Sequence, residues 1–509
     1  MGETTKSRLL TLAVTLPAFL GACAPPPAPR ATLYAVIPPG ARVDWDSLLH
    51  RPDTADLEFG VKILGPEPYA QEAAESFAPA SNTKLFTTAA ALRYLGPEST
   101  FDTNITWDWA GRGVAAHLKL HGGGDPTWTP DTLDTIVSAL KKAGVQAVQG
   151  PVESAAADPR ADILRRPEGW QPEDSAACYA ALIQSLNLNE DCATLKVLGL
   201  HSAAWTDPDV PIPVEVRLKP GLHTDLQVES VDQPGRPATS YLITGTWKAG
   251  TPPVPIALPV HDAPEWVARA LRRRLASAGL WMPTDSGDRR EPATEGASLK
   301  ISSAPLGQIL VPFDKNSDNF IGHAYWAALG ARLGDPQAPD LLEAGRGVMA
   351  RFIEELGRAT ALRLGLAPRP GFYASRVTLV DGSGISHADQ VTVDALIMLL
   401  QDLSSRGDFG YVWRALPIAG VDGTLASRMK NTAAQGVLRA KTGTLTGVYN
   451  LSGFVPRLAS GEIEGGPAGS TPAELIPFVV LTRGPGGSAT PAHAAQDRVG
   501  AALAELINP

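Results

Sequence analysis

Apolar side chains recur at helical spacing after Ser81: Leu85, Ala89, Leu92 and Leu95 form one stripe that stops at Gly96. The pattern predicts a buried helix opening at Ser81, entered through Phe77-Ala-Pro-Ala80, where Pro79 favours a turn or extended approach. Leu133, Ile136 and Leu140 predict an amphipathic helix with an exposed face. Ala263–Leu275 predicts another helix, expected to carry the chain back to the main core. Alternation predicts strands at Ser185-Leu-Asn-Leu-Asn189, Val214–Leu218 and Tyr241–Trp247. Val437–Lys441 and Val448–Val455 predict two more, joined near the glycines between them. The mixture predicts an α/β (α+β) protein, and 509 residues call for more than one core.

The N-terminus departs from this globular pattern. Lys6 and Arg8 precede the apolar run Leu9–Leu20, followed by Gly21-Ala22-Cys23, the layout of a secretory signal over residues 1–22. The run is shorter than a membrane-spanning helix requires. Leu-Gly-Ala-Cys also resembles a bacterial lipobox, so Cys23 is either an acylated N-terminus or a residue beside a plain cleavage site. The Pro-rich stretch over 23–30 predicts an extended tether. An exported, cell-envelope or periplasmic location is expected.

Composition narrows the field by exclusion. With 44 Lys and Arg against 53 Asp and Glu, the net charge is −9, the cations are scattered, and no nucleic-acid motif is present. No Cys/His cluster has zinc spacing, so neither metal nor cofactor is expected. Besides Cys23 there are only Cys178 and Cys192; in an oxidising compartment they can pair, or stay as two buried thiols.

Candidate chemistry rests on three motifs. In Ser-x-x-Lys a helix puts serine and lysine on one face, where a desolvated lysine can take the hydroxyl proton. The pattern occurs at Ser81–Lys84, Ser138–Lys141 and Ser427–Lys430. Only the first opens a buried helix; the second lies on an amphipathic surface helix and the third in a basic loop. Ser317-Asp-Asn319 can aim a hydroxyl and an amide into one cleft. Ser185-Leu-Asn187 competes with it but falls in the alternating run. Lys441-Thr-Gly-Thr444 offers a cation, hydroxyls and an open backbone on a strand edge, and Lys-Thr-Gly occurs once in the chain.

The ordered set resembles the serine penicillin-recognising enzymes. The long gap between Ser81 and Ser317 is similar to that of class C low-molecular-mass penicillin-binding proteins of the D-Ala-D-Ala carboxypeptidase/endopeptidase (DacB-like) family. Leu118–Pro126, Gly169-Trp170, Leu186–Glu190, Asp381-Gly-Ser-Gly-Ile-Ser386 and Ala419–Leu425 resemble the same family. The resemblance implies a catalytic domain in two chain segments, 31–104 and 296–509, with a mostly β inserted region at 105–295.

By that resemblance Ser81 is the nucleophile, Lys84 its base, Ser317 the proton relay and Lys441 the nearby cation. Asn319 holds a substrate amide, and Thr442, Gly443 and Thr444 hold the substrate carboxylate and backbone. The N–H groups of Ser81 and Thr444 form the oxyanion hole. Cys178–Cys192 corresponds to a family disulfide, with Asp174 meeting the amine of the stem peptide's diamino acid and Tyr179 packing on its chain. Where the family motif continues from Asp-Gly-Ser-Gly-x-Ser with an arginine for a second carboxylate, this chain has His387, so a side chain with an amine and no free carboxylate is expected; alternatively a cation such as Arg376 takes that role. Peptidoglycan peptides are the implied partners and β-lactams the implied covalent inhibitors. The competing expectations are a β-lactamase, or a non-catalytic wall lipoprotein that binds β-lactams or muropeptides.

Overall fold

The computed structural model describes residues 43–233, 236–282, 294–457 and 474–508, with the backbone of 11–15. Cys23, the tether over 23–30 and most of the signal-like run lie outside the described residues. Thr11–Thr15, within that run, is a strand parallel to Ser298–Ser302.

The catalytic motifs sit around a five-stranded antiparallel sheet, ordered Arg439–Leu445, Val448–Pro456, Leu475–Arg483, Glu58–Ile63 and Tyr69–Gln71. Every residue of Val448–Pro456 is buried, because helices cover both faces of the sheet. The C-terminal helix Thr490–Ile507 and Trp45–Leu49 cover one face with Val499, Leu503 and Trp45. A cluster of helices covers the other: Thr83–Tyr94, Leu306–Lys315, Asn319–Leu333, Leu341–Arg363 and Val393–Ser405 share a core that includes Phe86, Leu310, Tyr325, Phe352 and Leu396.

Residues 83–92 are all buried, so the helix bearing the first motif lies at the centre of this cluster. Ser81 itself is in a 3₁₀ turn, Ala80–Asn82, that leads into the α-helix. Gly96, at φ +85°, supplies the left-handed residue that ends it.

Strands Asp102–Gly111 and Thr294–Ser302 carry the chain out of this unit and back, pairing Asp102 with Ser302 and Ile105 with Leu299. Between them in the chain lie four more strands of a seven-stranded sheet, which Thr11–Thr15 completes, and two three-stranded sheets. Their core contains Trp107, Trp128, Tyr241 and Trp266. The helix Ala263–Ser277 differs from expectation. Its Trp266, Val267, Leu271 and Leu275 pack into this second core instead of returning the chain to the first.

Ser185–Asn189 is also not a strand. Leu186 and Leu188 do enter the core, but the polar positions between them are buried too. Asn187 Nδ2 donates to the carbonyls of Asp125 and Gln184, and Ser185 is bonded to Asp162 through both its N–H and its hydroxyl. The alternation therefore separates greasy contacts from hydrogen-bonded ones, with no solvent face to make a strand of it. The helix Pro130–Lys142 leaves Ser138 and Lys141 exposed, and Ser427–Lys430 lies in a turn.

Candidate active site

The entry to the helix that follows Ser81 is pinned from the neighbouring sheet. Asn450 Nδ2 donates to the carbonyls of Ala78 and Pro79, and Asn82 Nδ2 donates to Ser452 Oγ. The strand carrying Lys-Thr-Gly then passes so close that a Cβ on Gly443 would stand 2.8 Å from Pro79 O and 3.2 Å from Ser81 N. A glycine here lets the strand edge reach the serine backbone.

One helical turn after Ser81, Lys84 is completely buried. Its Nζ donates to Ser81 Oγ at 3.0 Å, Asn319 Oδ1 at 2.7 Å and the Ser383 carbonyl at 2.6 Å. Burial lowers the Lys84 pKa to about 8, against the opposing pull of Asp381, Asp318, Asp314 and Asp389. Three acceptors suit an ammonium. In the neutral amine two N–H groups satisfy Asn319 and Ser383, leaving the lone pair for the Ser81 hydroxyl.

Lys441 is the second buried cation, donating to Ser317 Oγ at 2.8 Å and to the Thr442 carbonyl at 3.1 Å. Burial, and then the nearby Lys84 charge, press its pKa well down; Asp314 opposes them. Asp314, buried and bonded by Thr88, is raised to about 7 by the same desolvation, with Lys441 and Lys84 pulling the other way. Ser317 is held at φ +60°, an uncommon conformation for a side-chain-bearing residue, with Asp318 N bonded back to Phe313 O.

These groups floor a cleft of about 540 Å³ that Ser81, Ser317, Asn319, Thr442 and Thr444 line. Thr442 Oγ1 donates to Thr424 Oγ1 at 2.8 Å. Asn319 also donates from Nδ2 to the Tyr179 carbonyl at 2.9 Å, coupling the Ser-x-Asn turn to the side wall.

That wall comes from the inserted region. A disulfide joins Cys178 to Cys192, and Tyr179 beside it is 55 % exposed. Asp174 is buried and already engaged, taking Tyr179 OH at 2.6 Å on one oxygen and Gln171 N–H at 2.7 Å on the other. Its neighbour Glu173 is exposed and lines the cleft, a carboxylate that motif reasoning missed. His387 also lines the cleft, its N–H bonded to the Gly169 carbonyl. Arg376 is not among the lining residues; its guanidinium lies 4.5 Å over the Phe372 ring.

Behind Lys84 stands a group that spacing alone did not announce. The Asp381 carboxylate accepts the N–H groups of Ser383, Gly384 and Ser386 and the Trp170 indole N–H. Against the cost of burial, His323, Trp170 and these N–H groups keep it below the usual carboxylate range. The Asp-Gly-Ser-Gly stretch and Trp170 were visible in the sequence; that they close around the lysine was not.

A buried Ser–Lys pair, a second Lys–Ser contact and a strand edge facing one cleft define a class: serine-type peptidases. Residues 63–463 match the model of the D-Ala-D-Ala carboxypeptidase 3 (S13) family, and the chain belongs to it. It is a D-Ala-D-Ala carboxypeptidase of the DacB-like, low-molecular-mass penicillin-binding kind. It is 32% identical over 491 residues to a D-alanyl-D-alanine carboxypeptidase of Actinomadura sp. (strain R39), covering 91% of this chain and 84% of the relative. D-alanyl-D-alanine carboxypeptidase DacB of Haemophilus influenzae is 24% identical, with 74% and 77% covered. In structure the chain is similar to penicillin binding protein 4 (dacB) of Haemophilus influenzae, with a TM-score of 0.69 at 21% identity, covering 92% and 99% of the two chains. That protein has also been solved with a bound β-lactam.

Proposed function

We propose that the enzyme hydrolyses D-Ala-D-Ala carboxypeptide and cross-link bonds of peptidoglycan stem peptides through an acyl-enzyme on Ser81. The observation that carries this is the double lysine arrangement: Lys84 on Ser81 Oγ and Lys441 on Ser317 Oγ, both lysines buried behind serines that line one cleft. Neutral Lys84 takes the Ser81 proton as Oγ attacks the penultimate D-Ala carbonyl. The N–H groups of Ser81 and Thr444 receive the oxyanion, an effect of roughly 3 kcal/mol per donor in hydrolases. Ser317, polarised by Lys441, passes a proton to the departing amine, and water releases the acyl group. Thr442 and Thr444 hold the terminal carboxylate, and the second Nδ2 proton of Asn319 meets a peptide amide.

The side wall sets the substrate's preference. Glu173 and Asp174 offer negative charge to a side-chain amine, with Tyr179 along its aliphatic stem. His387 stands where a guanidinium would be needed for a free carboxylate. The preferred diamino residue therefore carries an amine and no free carboxylate, as in ornithine, lysine or amidated diaminopimelate. Equal cleavage of stem peptides with and without that carboxylate would refute this.

Penicillins acylate the same serine. The enzyme works outside the cytoplasm after export, tethered through lipid on Cys23. Among the described residues no helix is long and apolar enough to cross a membrane.

Intact mass spectrometry with and without benzylpenicillin tests the central step. A single long-lived adduct on the wild type, absent from Ser81→Ala, is expected. Rapid release of hydrolysed drug would instead mark a β-lactamase, and no adduct on folded protein would mean a non-catalytic descendant. A globomycin-sensitive mass shift at Cys23 in cells tests the anchor.

A further inference from the structure

The base Lys84 has two acceptors besides Ser81, and one buried side chain is bonded to the residue that carries the second of them. His323 lies one turn beyond Asn319 on the same helix, so both face the lysine. Its ring is stacked on Trp170 at 5.3 Å, and only 7% of the residue is exposed. His323 Nε2 is 3.0 Å from Ser383 Oγ, while Nδ1 is 3.4 Å from the Ala181 carbonyl, too far for a strong bond.

The protons can be assigned from the partners. The Ser383 hydroxyl has one hydrogen; with that hydrogen on Asp381 Oδ1, 3.0 Å away, the imidazole is the donor to Ser383 Oγ, as the neutral Nε2–H form. Burial lowers the His323 pKa, which keeps the ring in that neutral form. Ser383 is thereby held from three sides: Asp381 on its N–H and hydroxyl, and His323 on its oxygen. Its carbonyl is the acceptor 2.6 Å from Lys84 Nζ.

We propose that His323 is a positioning residue for the base: bonded to Ser383 Oγ, it fixes the loop whose carbonyl, with Asn319, turns the Lys84 lone pair toward Ser81. The inference rests on the proposed Ser81–Lys84 chemistry. The charged groups nearest the imidazole are Asp381 on the loop, Lys84 on the nucleophile helix and Asp318 on the turn before its own helix. Of these, Asp381 also meets Ser383 Oγ, but as an acceptor, so it does not replace a donor to that oxygen.

The test is the rate of Ser81 acylation by benzylpenicillin across pH for wild type, His323→Ala, His323→Gln and Ser383→Ala, the last keeping the carbonyl. A lysine misplaced by a fraction of an ångström costs reaction rate, and His323→Ala is expected to slow acylation roughly 10- to 100-fold. Its pH midpoint should also move, while His323→Gln, which retains an N–H donor, recovers most of the rate. In the Ser383→Ala background a further His323→Ala change should add little, because both act through one bond. Effects that multiply, or a His323→Ala rate within about twofold of wild type at an unchanged midpoint, would overturn the proposal. A wild type that takes no drug at all would instead sink the Ser81–Lys84 reading beneath it. Should His323→Ala not fold, the Ser383→Ala and His323→Gln pair carries the same comparison.

Discussion

On the floor of the cleft, Lys84 and Lys441 are wholly buried, with three acceptors around the first and two around the second. On the rim, Tyr179 is more than half exposed and Glu173 faces open solvent. The floor draws on residues far apart in the chain and packed so tightly that Gly443 has no room for a Cβ. Glu173 and Tyr179 come from one stretch of the inserted region, beside the Cys178–Cys192 disulfide. The difference separates reaction from recognition: groups that move protons must be desolvated and fixed, whereas groups that choose a side chain must be reachable.

Substitutions on the floor should therefore cost rate for every substrate. The largest loss is expected from Lys84→Ala, which removes the base and should slow acylation by β-lactam and peptide alike by about 10³- to 10⁴-fold, read by stopped-flow. Gly443→Ala pushes the strand from the Ser81 backbone; a drop of about 10²-fold in acylation rate, with the fold retained by circular dichroism, would mark a disturbed oxyanion site. Acylation should also climb about tenfold per pH unit and level off above about 8, because only the neutral Lys84 amine accepts the serine proton. A rate that falls as pH rises through this range would assign the base elsewhere.

The rim should behave otherwise. Glu173→Gln should raise KM about tenfold for an amine-bearing stem peptide and leave its N-acetylated analogue and benzylpenicillin unchanged, since only the charge partner is lost. Asp174→Asn should affect both peptides, because Asp174 already holds Tyr179 and the Gln171 turn. The smallest effect on chemistry belongs to Cys178→Ser with Cys192→Ser. Opening that short loop should lower Tm by about 3 °C, from roughly 3 kcal/mol of chain entropy, with drug acylation within about threefold of wild type.

The floor was also far more legible in the sequence than the rim. Ser81–Lys84, Ser317–Asn319 and Lys441–Thr444 stood out because each needs a fixed local spacing, and the stripe Leu85, Ala89, Leu92 marked which Ser-x-x-Lys lies on a buried helix. The third acceptor of Lys84 is a backbone carbonyl, Ser383 O, and no residue type announces a carbonyl. His323 looks like any core histidine until the Ser383 hydroxyl is seen against it. Asp174 stood at a family position, but its two oxygens turned out to be occupied, a matter of hydrogen-bond partners that spacing cannot reveal. Ser185–Asn189 misled for a related reason, since polarity in the sequence does not distinguish a solvated side chain from one bonded inside.

The catalytic unit is interrupted in the chain, and that has a consequence for when it comes into being. Lys84 meets Asn319 across 235 positions, and Asn82 meets Ser452 across 370. Contacts so distant form late, after the entropy of closing long loops has been overcome. The region between them has its own core around Trp107 and Trp266 and can condense while the last strands are still being made. The nucleophile, written near the start, thus waits for the Lys-Thr-Gly strand near the end, so an unfinished chain is an inert one.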